Sequence, residues 1–368
     1  MGTQRGDTLS YLRILALSRY GTMGASSRLR FLQYLPALSD SGLEVHFQAF
    51  FDNEALSNRY MKGRYGFQML LNAYLRRVWA LLSHERFDLL WIEKEALPWF
   101  PALAELTLLR GLPYVLDYDD AVFHNYDQHR LAPVRWLFGR RLDKLMAKAT
   151  LVVGGNIYLA NRAKNAGAPW VEILPTVIDL ERYPLRKPLT DQTVTRVPRI
   201  VWIGSPSTVH YLQSLQESLQ QLARCTSFIL RVVGAEIQIP NVQVECAPWS
   251  EATEVDAISE CDLGVMPLED SSWEHGKCGY KLIQYMACGL PVVASPVGVN
   301  SSLINAGECG FLADGASSWQ TALEHLLTQP ELRMQMGNAG RRHVEQHYCL
   351  QVTAPKMSTL LHQAGLKA

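Results

Sequence analysis

At 368 residues, 48% of them apolar and 19% charged, the chain is long enough for two ordinary domains and too hydrophobic for a disordered one. Lys plus Arg equals Asp plus Glu, at 35 each, so no basic excess advertises a nucleic-acid partner. No apolar run is long enough to cross a bilayer, and Met1 to Leu9 lacks the apolar core of a secretory leader.

Through the first half, strand-length apolar runs alternate with segments of helical period. The strands are Leu12–Leu17, Glu44–Phe47, Leu89–Ile92, Tyr114–Leu116, Leu151–Val153 and Val171–Leu174. Helices are predicted over Ser26–Leu38, Met61–Leu82, Pro98–Leu109, Val134–Lys148 and Ile157–Asn165. Such alternation predicts a parallel sheet with helices on both faces. Asp117, Asp119 and Asp120 follow the fourth strand at its carboxyl end, where doubly wound sheets place their ligands. Three carboxylates within four residues repel one another; they either serve a ligand or raise a pKa, or they are an Asp-rich helix start favoured by the dipole. His124 lies just beyond, able to orient a ligand or merely incidental.

Two segments of this half are basic. Leu56 to Arg86 holds six Lys/Arg against one Glu, interleaved with Tyr60, Tyr65, Phe67, Tyr74 and Trp79; Gln128 to Lys148 holds six against Asp143. Basic amphipathic helices with aromatics suit anionic lipid headgroups or a lipid diphosphate, or they are ordinary solvated faces. Residues 1–185 carry 22 basic and 18 acidic side chains and residues 186–368 carry 13 and 17, a split that hints at different partners for the two halves.

Tyr183 to Pro198, with three prolines and little periodicity, reads as a linker. The expected organisation is therefore a Rossmann-like domain over 1–185, a linker over 186–198, a second Rossmann-like domain over 199–345, and a C-terminal helical segment over 346–368 that packs back on the first domain. The second alternation runs through Ile200–Ile203, Ile229–Val233, Val242–Glu245, Leu263–Met266 and Val292–Ala294. Its first turn, Gly204-Ser205-Pro206-Ser207-Thr208, offers Ser205 as N-cap and Pro206 at the first helical position. That place in a doubly wound domain is where phosphates bind; a well-capped helix is the plainer alternative. No Gly-x-Gly-x-x-Gly follows either opening strand, so an NAD fingerprint is missing.

The densest signal runs from Gly276 to Gly298. A helix is predicted from near Gly279 to Cys288, stopped by Gly289 and Pro291, and followed by a short buried strand. Glycine amides at a helix N-terminus, flanked by Lys277 and Lys281, form a cradle for a diphosphate. Two lysines one turn apart repel on a bare helix, which an anion between them would relieve; two solvated lysines are the alternative. All seven cysteines lie between Cys225 and Cys349 without a Cys-x-x-Cys pair, as suits reduced thiols in a cytoplasmic protein. Cys246 and Cys261 match no zinc module.

Taken in order, the Gly204–Thr208 turn, Val265-Met266-Pro267-Leu268 and the Gly276–Gly298 block resemble a GT-B fold glycosyltransferase of family 4, the glycosyl transferases group 1. The block resembles a subset with a Lys-Leu-x-x-Tyr-Met-Ala core. Tyr20 to Arg28 is similar to the family's Gly-rich first loop, and Leu174 to Asp179 to the stretch closing its first domain. The resemblance implies two Rossmann-like domains facing across a cleft, with a nucleotide-diphosphate-sugar donor on the second and a saccharide or lipid-linked acceptor on the first. Donor contacts would come from Gly204, Ser205, Ser207, Thr208, Trp249, Glu274, Cys278, Gly279, Tyr280 and Gln284, with Trp249 at the nucleobase. Gly21, Gly24, Arg28 and Asp117 would face the acceptor. Lys277 and Lys281 would neutralise the diphosphate, with Asp119, Asp120 and His124 near the transfer. Family members usually retain configuration, the departing phosphate oxygen taking the acceptor proton, and need no metal or cofactor beyond the donor.

The chain departs from the family at two glutamates with seven residues between them, whose positions hold Gly276 and Gln284. Gln284 can still hydrogen-bond a ribose, and Glu274 or Glu269 can replace the lost carboxylate. The expected function is a glycosyltransferase of surface-glycan biosynthesis, cytoplasmic or at the inner face of the plasma membrane, in contact with anionic lipid and not with nucleic acid. The alternatives are a nucleotide-sugar 2-epimerase of the same fold and a catalytically degenerate sugar-nucleotide-binding partner.

Overall fold

The computed structural model describes residues 12–83, 86–184 and 196–367. Two compact units divide the chain: the described residues up to Pro175 together with the segment from Thr353, and Thr176–Val352. The predicted linker over 186–198 lies outside the described residues up to 195.

In the first unit six parallel strands form one sheet: β1 (Leu12–Tyr20), β2 (Leu43–Phe51), β3 (Leu89–Glu93), β4 (Tyr114–Tyr118), β5 (Leu151–Gly154) and β6 (Val171–Ile173), in the order β2-β1-β3-β4-β5-β6. Every residue of β3, β4 and β5 is buried, as a parallel strand covered on both faces requires. Successive strands are added on one side of β1 and then on the other. The strand order therefore reverses between β1 and β3, and the crevice at their carboxyl ends is the natural ligand site of such a sheet.

Glycines cut the longer predicted helices. Met61–Leu82 divides at Gly63 (φ +71°) into Asn53–Lys62 and Phe67–Leu82. Val134–Lys148 divides at Gly139 into Ala132–Phe138 and Arg141–Met146; a Cβ at Gly139 would meet Arg135 O at 2.3 Å. The helix Leu350–Gly365 starts in the second unit and belongs to the first from Thr353. There it buries Met357, Leu361 and Ala364, bonds Tyr34 Oη through Thr353 Oγ1 at 3.0 Å, and brings Gly365 against Leu12.

The second unit repeats the plan with β7 (Arg199–Ile203), β8 (Ile229–Val233), β9 (Gln243–Ala247), β10 (Leu263–Met266), β11 (Val292–Ala294) and β12 (Gly310–Leu312), ordered β12-β11-β10-β7-β8-β9 and parallel throughout. The strand order reverses between β7 and β10. These two pair at Ile200–Leu263 and Val201–Gly264. Beyond that point the buried Tyr285 occupies the gap: its hydroxyl accepts the Ile203 N–H at 3.0 Å and reaches Val265 O at 3.5 Å. Its ring lies over Gly264, where a Cβ would come within 2.2 Å. Gly264→Ala is therefore expected to lower stability by about 1–3 kcal/mol through overpacking, measured by urea denaturation; an unchanged midpoint would show that the ring can yield.

Candidate functional site

The carboxyl ends of β7, β8 and β10 gather most of the residues expected to hold a donor. Gly204 N–H continues the ladder to Val233 O at 2.9 Å, and a side chain at 204 would collide with the Trp202 ring, 2.4 Å from its Cβ. Gly234, at φ +88°, packs so closely on Gly204 that a Cβ would lie 2.3 Å from the Gly204 carbonyl oxygen. Pro206–Thr208 then makes a single 3-10 turn closed by a capping box between Ser205 and Thr208. Ser205 Oγ also meets Ser207 Oγ at 2.8 Å. The predicted cap is present, on a tighter turn than an α-helix.

The helix Tyr280–Ala287 begins at Gly279, which is left-handed at φ +67° and so close to Leu303 that a Cβ would lie 2.4 Å from Cδ1. Its first-turn amides are the positive end of the helix. Lys281, on this turn, lies over Trp202 with its ammonium 4.4 Å from the ring centroid. Among the described residues no carboxylate forms an ion pair with it. Burial first, and then the neighbouring Lys277 charge, push its pKa down to about 7. A half-buried ammonium facing another cation lacks a counter-ion, and a diphosphate would supply one. Lys277 stands 5.8 Å from the centroid of the Tyr211 ring.

The remaining donor candidates fall into three groups. Glu274 is buried and accepts from Tyr211 Oη and Ser271 Oγ. Burial works to raise its pKa, but those hydrogen bonds and Lys277 hold it below the ordinary carboxylate range. Gln284 is buried as well; its amide donates to Tyr183 Oη at 2.9 Å, which reaches Glu254 at 3.4 Å, and Trp249 Nε1 donates to the same carboxylate at 2.9 Å. Gln284 and Trp249 are thus two ends of one polar chain that sequence reasoning treated as separate contacts. Cys278 is buried and Tyr280 partly so, while Glu269 is exposed.

In the first unit the switch point is densely ionic. Lys94, immediately after β3 and held at φ +64°, puts its ammonium 2.8 Å from Asp119, 3.7 Å from Asp120 and 3.2 Å from Ser26 Oγ. Burial alone would lower its pKa; Asp119, Asp120 and Glu93 more than reverse that and raise it. Burial likewise opposes ionisation of Asp119, yet Lys94 holds its pKa below the usual range. Glu93 accepts Ser27 Oγ at 2.6 Å and the Arg19 N–H at 2.7 Å. Lys94 and Glu93 were missed in the sequence, although charged residues directly after an all-apolar strand are a signal of this kind. The Gly21–Gly24 loop closes on β2 through Gly21 N–H to Phe51 O at 3.1 Å, and Asn53 fixes Thr22 and Met23. Arg28 donates back to Thr22 O at 3.0 Å.

Two of the expected site residues are engaged within the fold. Asp117 is 1% exposed and paired with the equally buried Arg30 at 2.7 Å. His124 is not free to orient an acceptor, since Nδ1 is held by Asp127 and Nε2 by Tyr158, each at 2.8 Å. A cavity of about 730 Å³ in this unit lies elsewhere, between Phe50–Ala55 and Gly66–Arg76, and contains none of these charged groups.

Residues 197–329 match the model of the family described as glycosyl transferases group 1. A D-inositol 3-phosphate glycosyltransferase of Pseudarthrobacter chlorophenolicus is 32% identical over 123 residues, covering 33% of this chain and 28% of the relative. The chain thus spans under a third of that relative's length. Among solved structures, sucrose-phosphate synthase from Thermosynechococcus elongatus superposes with TM-score 0.71 at 15% identity, over 97% of this chain and 100% of that one. Anabaena HepE in complex with UDP and glucose does so with TM-score 0.69 at 15% identity, over 96% and 100%. The two-unit α/β architecture is the fold of these proteins, and it is the fold expected from the sequence.

Proposed function

We propose that this chain is a glycosyltransferase that moves a sugar from a nucleoside-diphosphate donor to a saccharide or lipid-linked acceptor in surface-glycan assembly, with retention of configuration. It would work at the inner face of the plasma membrane. The observation that carries the reading is the pair Lys277 and Lys281 at the Gly279 helix start, with Lys281 half-buried beside the Gly204–Thr208 turn and, among the described residues, without a carboxylate in ion-pair contact. The family match over 197–329 supports it, as does the UDP in the related HepE structure.

In this mechanism the bond between the sugar C1 and the diphosphate oxygen breaks, and an acceptor oxygen bonds to C1. The departing phosphate oxygen takes the acceptor's proton, so no protein base is needed. Lys277, Lys281 and the helix amides stabilise the charge that gathers on the diphosphate. Trp249 stacks on the base, and the Gln284–Tyr183–Glu254 chain sets the ribose side of the pocket. Glu274 stands in for the carboxylate missing at Gly276. Asp120, held by Lys94, accepts acceptor hydroxyls.

The test is calorimetric titration with UDP and GDP, followed by donor hydrolysis against a panel of nucleotide sugars. Micromolar to millimolar binding of a nucleoside diphosphate with slow hydrolysis of one donor is expected, and failure to bind any would overturn the proposal. One observation favours a second reading, a binding partner without turnover: Gln284 and Glu274 are both already engaged within the fold. It predicts the same nucleotide affinity with no hydrolysis until a second chain is added.

A further inference from the structure

The helix Phe67–Leu82 carries two faces of opposite use. Ala73, Arg77, Ala80 and Leu81 are buried against the sheet, where the Arg77 guanidinium donates to Ser18 O at 2.7 Å and Gln48 O at 3.1 Å. Phe67, Leu71, Leu75, Trp79 and Leu82 recur at steps of four, four, four and three residues, one continuous stripe on the outer face. All five are exposed, Phe67 at 82%, Trp79 at 67% and Leu82 at 63%. Met61, at the end of the preceding helix, adds a further exposed side chain at 75%. Isolated exposed apolar residues need no explanation; five in register on one helix mark an interaction surface.

The charge around the stripe selects its occupant. The helix contains no Asp or Glu, and exposed Arg64 and Arg86 flank its two ends, while Arg76 along its side is ion-paired with Asp52 at 3.7 Å. A second copy of the chain applied to the same stripe would set these basic ends against each other. An anionic bilayer meets both features at once, with arginines at the phosphates and Phe67, Leu71, Leu75, Trp79 and Leu82 at the headgroup–acyl boundary. We infer that the outer face of Phe67–Leu82 is the surface by which this protein lies on an anionic lipid bilayer. Of the aromatics that sequence alone singled out, Tyr65 stacks on Phe51 and Tyr74 packs on Phe50, so neither takes part, whereas Phe67 and Trp79 do; the Tyr60 side chain lies outside the described residues. This inference rests on the membrane placement proposed above and not on the identity of the donor.

The experiment is co-sedimentation of the full chain with vesicles of phosphatidylcholine alone and of phosphatidylcholine with phosphatidylglycerol, with UDP titration run on the same samples. Binding to the anionic vesicles only, weakened by salt, is expected. Leu75→Gln with Trp79→Gln should cut it roughly tenfold or more, and Arg64→Glu and Arg86→Glu should cut it about fivefold each. Thermal melts identify any variant that is misfolded, and because all four positions are exposed at least one pair should fold normally. Loss of vesicle binding with UDP affinity intact supports the inference. It is overturned if wild-type protein ignores anionic vesicles, if folded stripe variants bind them as well as wild type, or if the stripe variants instead dissolve a dimer. Absent UDP binding with vesicle binding preserved would sink the donor proposal alone.

Discussion

Lys281→Met is expected to make the ligand-free protein more stable and its nucleotide complex weaker. The ammonium is half-buried over Trp202 beside a second lysine, and its pKa falls to about 7. In the unfolded chain it returns to the ordinary lysine value. A folded-state pKa below the unfolded one means that the fold disfavours the proton. The penalty is present in full below pH 7 and fades as pH rises through 10. The penalty is on the order of a few kcal/mol against the native state, and the cation–π contact with Trp202 is one of the interactions that keep it from being larger. Methionine keeps the stem on the indole and removes the charge, so Tm should rise at pH 7 by roughly 2–4 °C for each kcal/mol. On the proposed donor placement the same substitution would delete a charge-assisted phosphate contact, weakening UDP affinity roughly 10- to 100-fold. Wild-type affinity should fall above pH 7 by up to about tenfold per unit, while the variant's profile stays flat over that range. Scanning calorimetry and titration at pH 6, 7 and 8 read all three effects. A variant that loses stability and keeps its affinity would remove Lys281 from the diphosphate site.

The largest loss of stability is expected from Arg141→Met. This guanidinium is buried and ion-paired with both Glu95 and Glu105, and it donates to Leu97 O at 2.6 Å. Tyr126 Oη supports Glu95 at 2.8 Å, and Arg19 reaches Glu95 from the other side at 3.1 Å. Removing Arg141 strands two buried carboxylates, a cost of about 3–5 kcal/mol. Burial already drives the Glu105 pKa up to about 7, Arg141 notwithstanding. For a carboxyl raised in the fold the sign is opposite to the usual one: its contribution is most favourable below the unfolded carboxyl value and is lost as pH climbs through 7. Without Arg141 that slope should steepen, so the variant should be distinctly less stable at pH 8 than at pH 6. Adding Glu105→Gln should recover part of the deficit. Urea titrations at the two pH values test this, and a loss below about 1 kcal/mol would mean that solvent reaches the pair.

Arg141 also shows where the sequence stops being legible. It sits in a run of six basic residues that looks like one solvated face, and only packing separates it from its neighbours. Lys94 is hidden for a related reason, since its left-handed backbone and its aspartate partners across β3 and β4 are set by sheet register. The Gly204–Thr208 turn and the Gly279 helix start were visible because glycine, serine and proline fix local geometry directly. Eleven strands announced themselves by apolar runs, whereas β12 did not. It is three residues long and opens on Gly310, where a Cβ would lie 1.8 Å from Val292 O. Its existence depends on that close approach to β11 and not on its own composition.

The helix Leu350–Gly365 has a consequence for the order of events during synthesis. The first unit buries Met357, Leu361 and Ala364, residues translated after the whole of Thr176–Val352. The second unit is continuous in sequence, so it can complete its core as soon as it emerges. The unit that begins first must wait for its last helix, on the order of ten to a few tens of seconds at about 5–20 residues per second. During that interval the surface around Leu12 and Tyr34, which the helix covers in the finished fold, stays open.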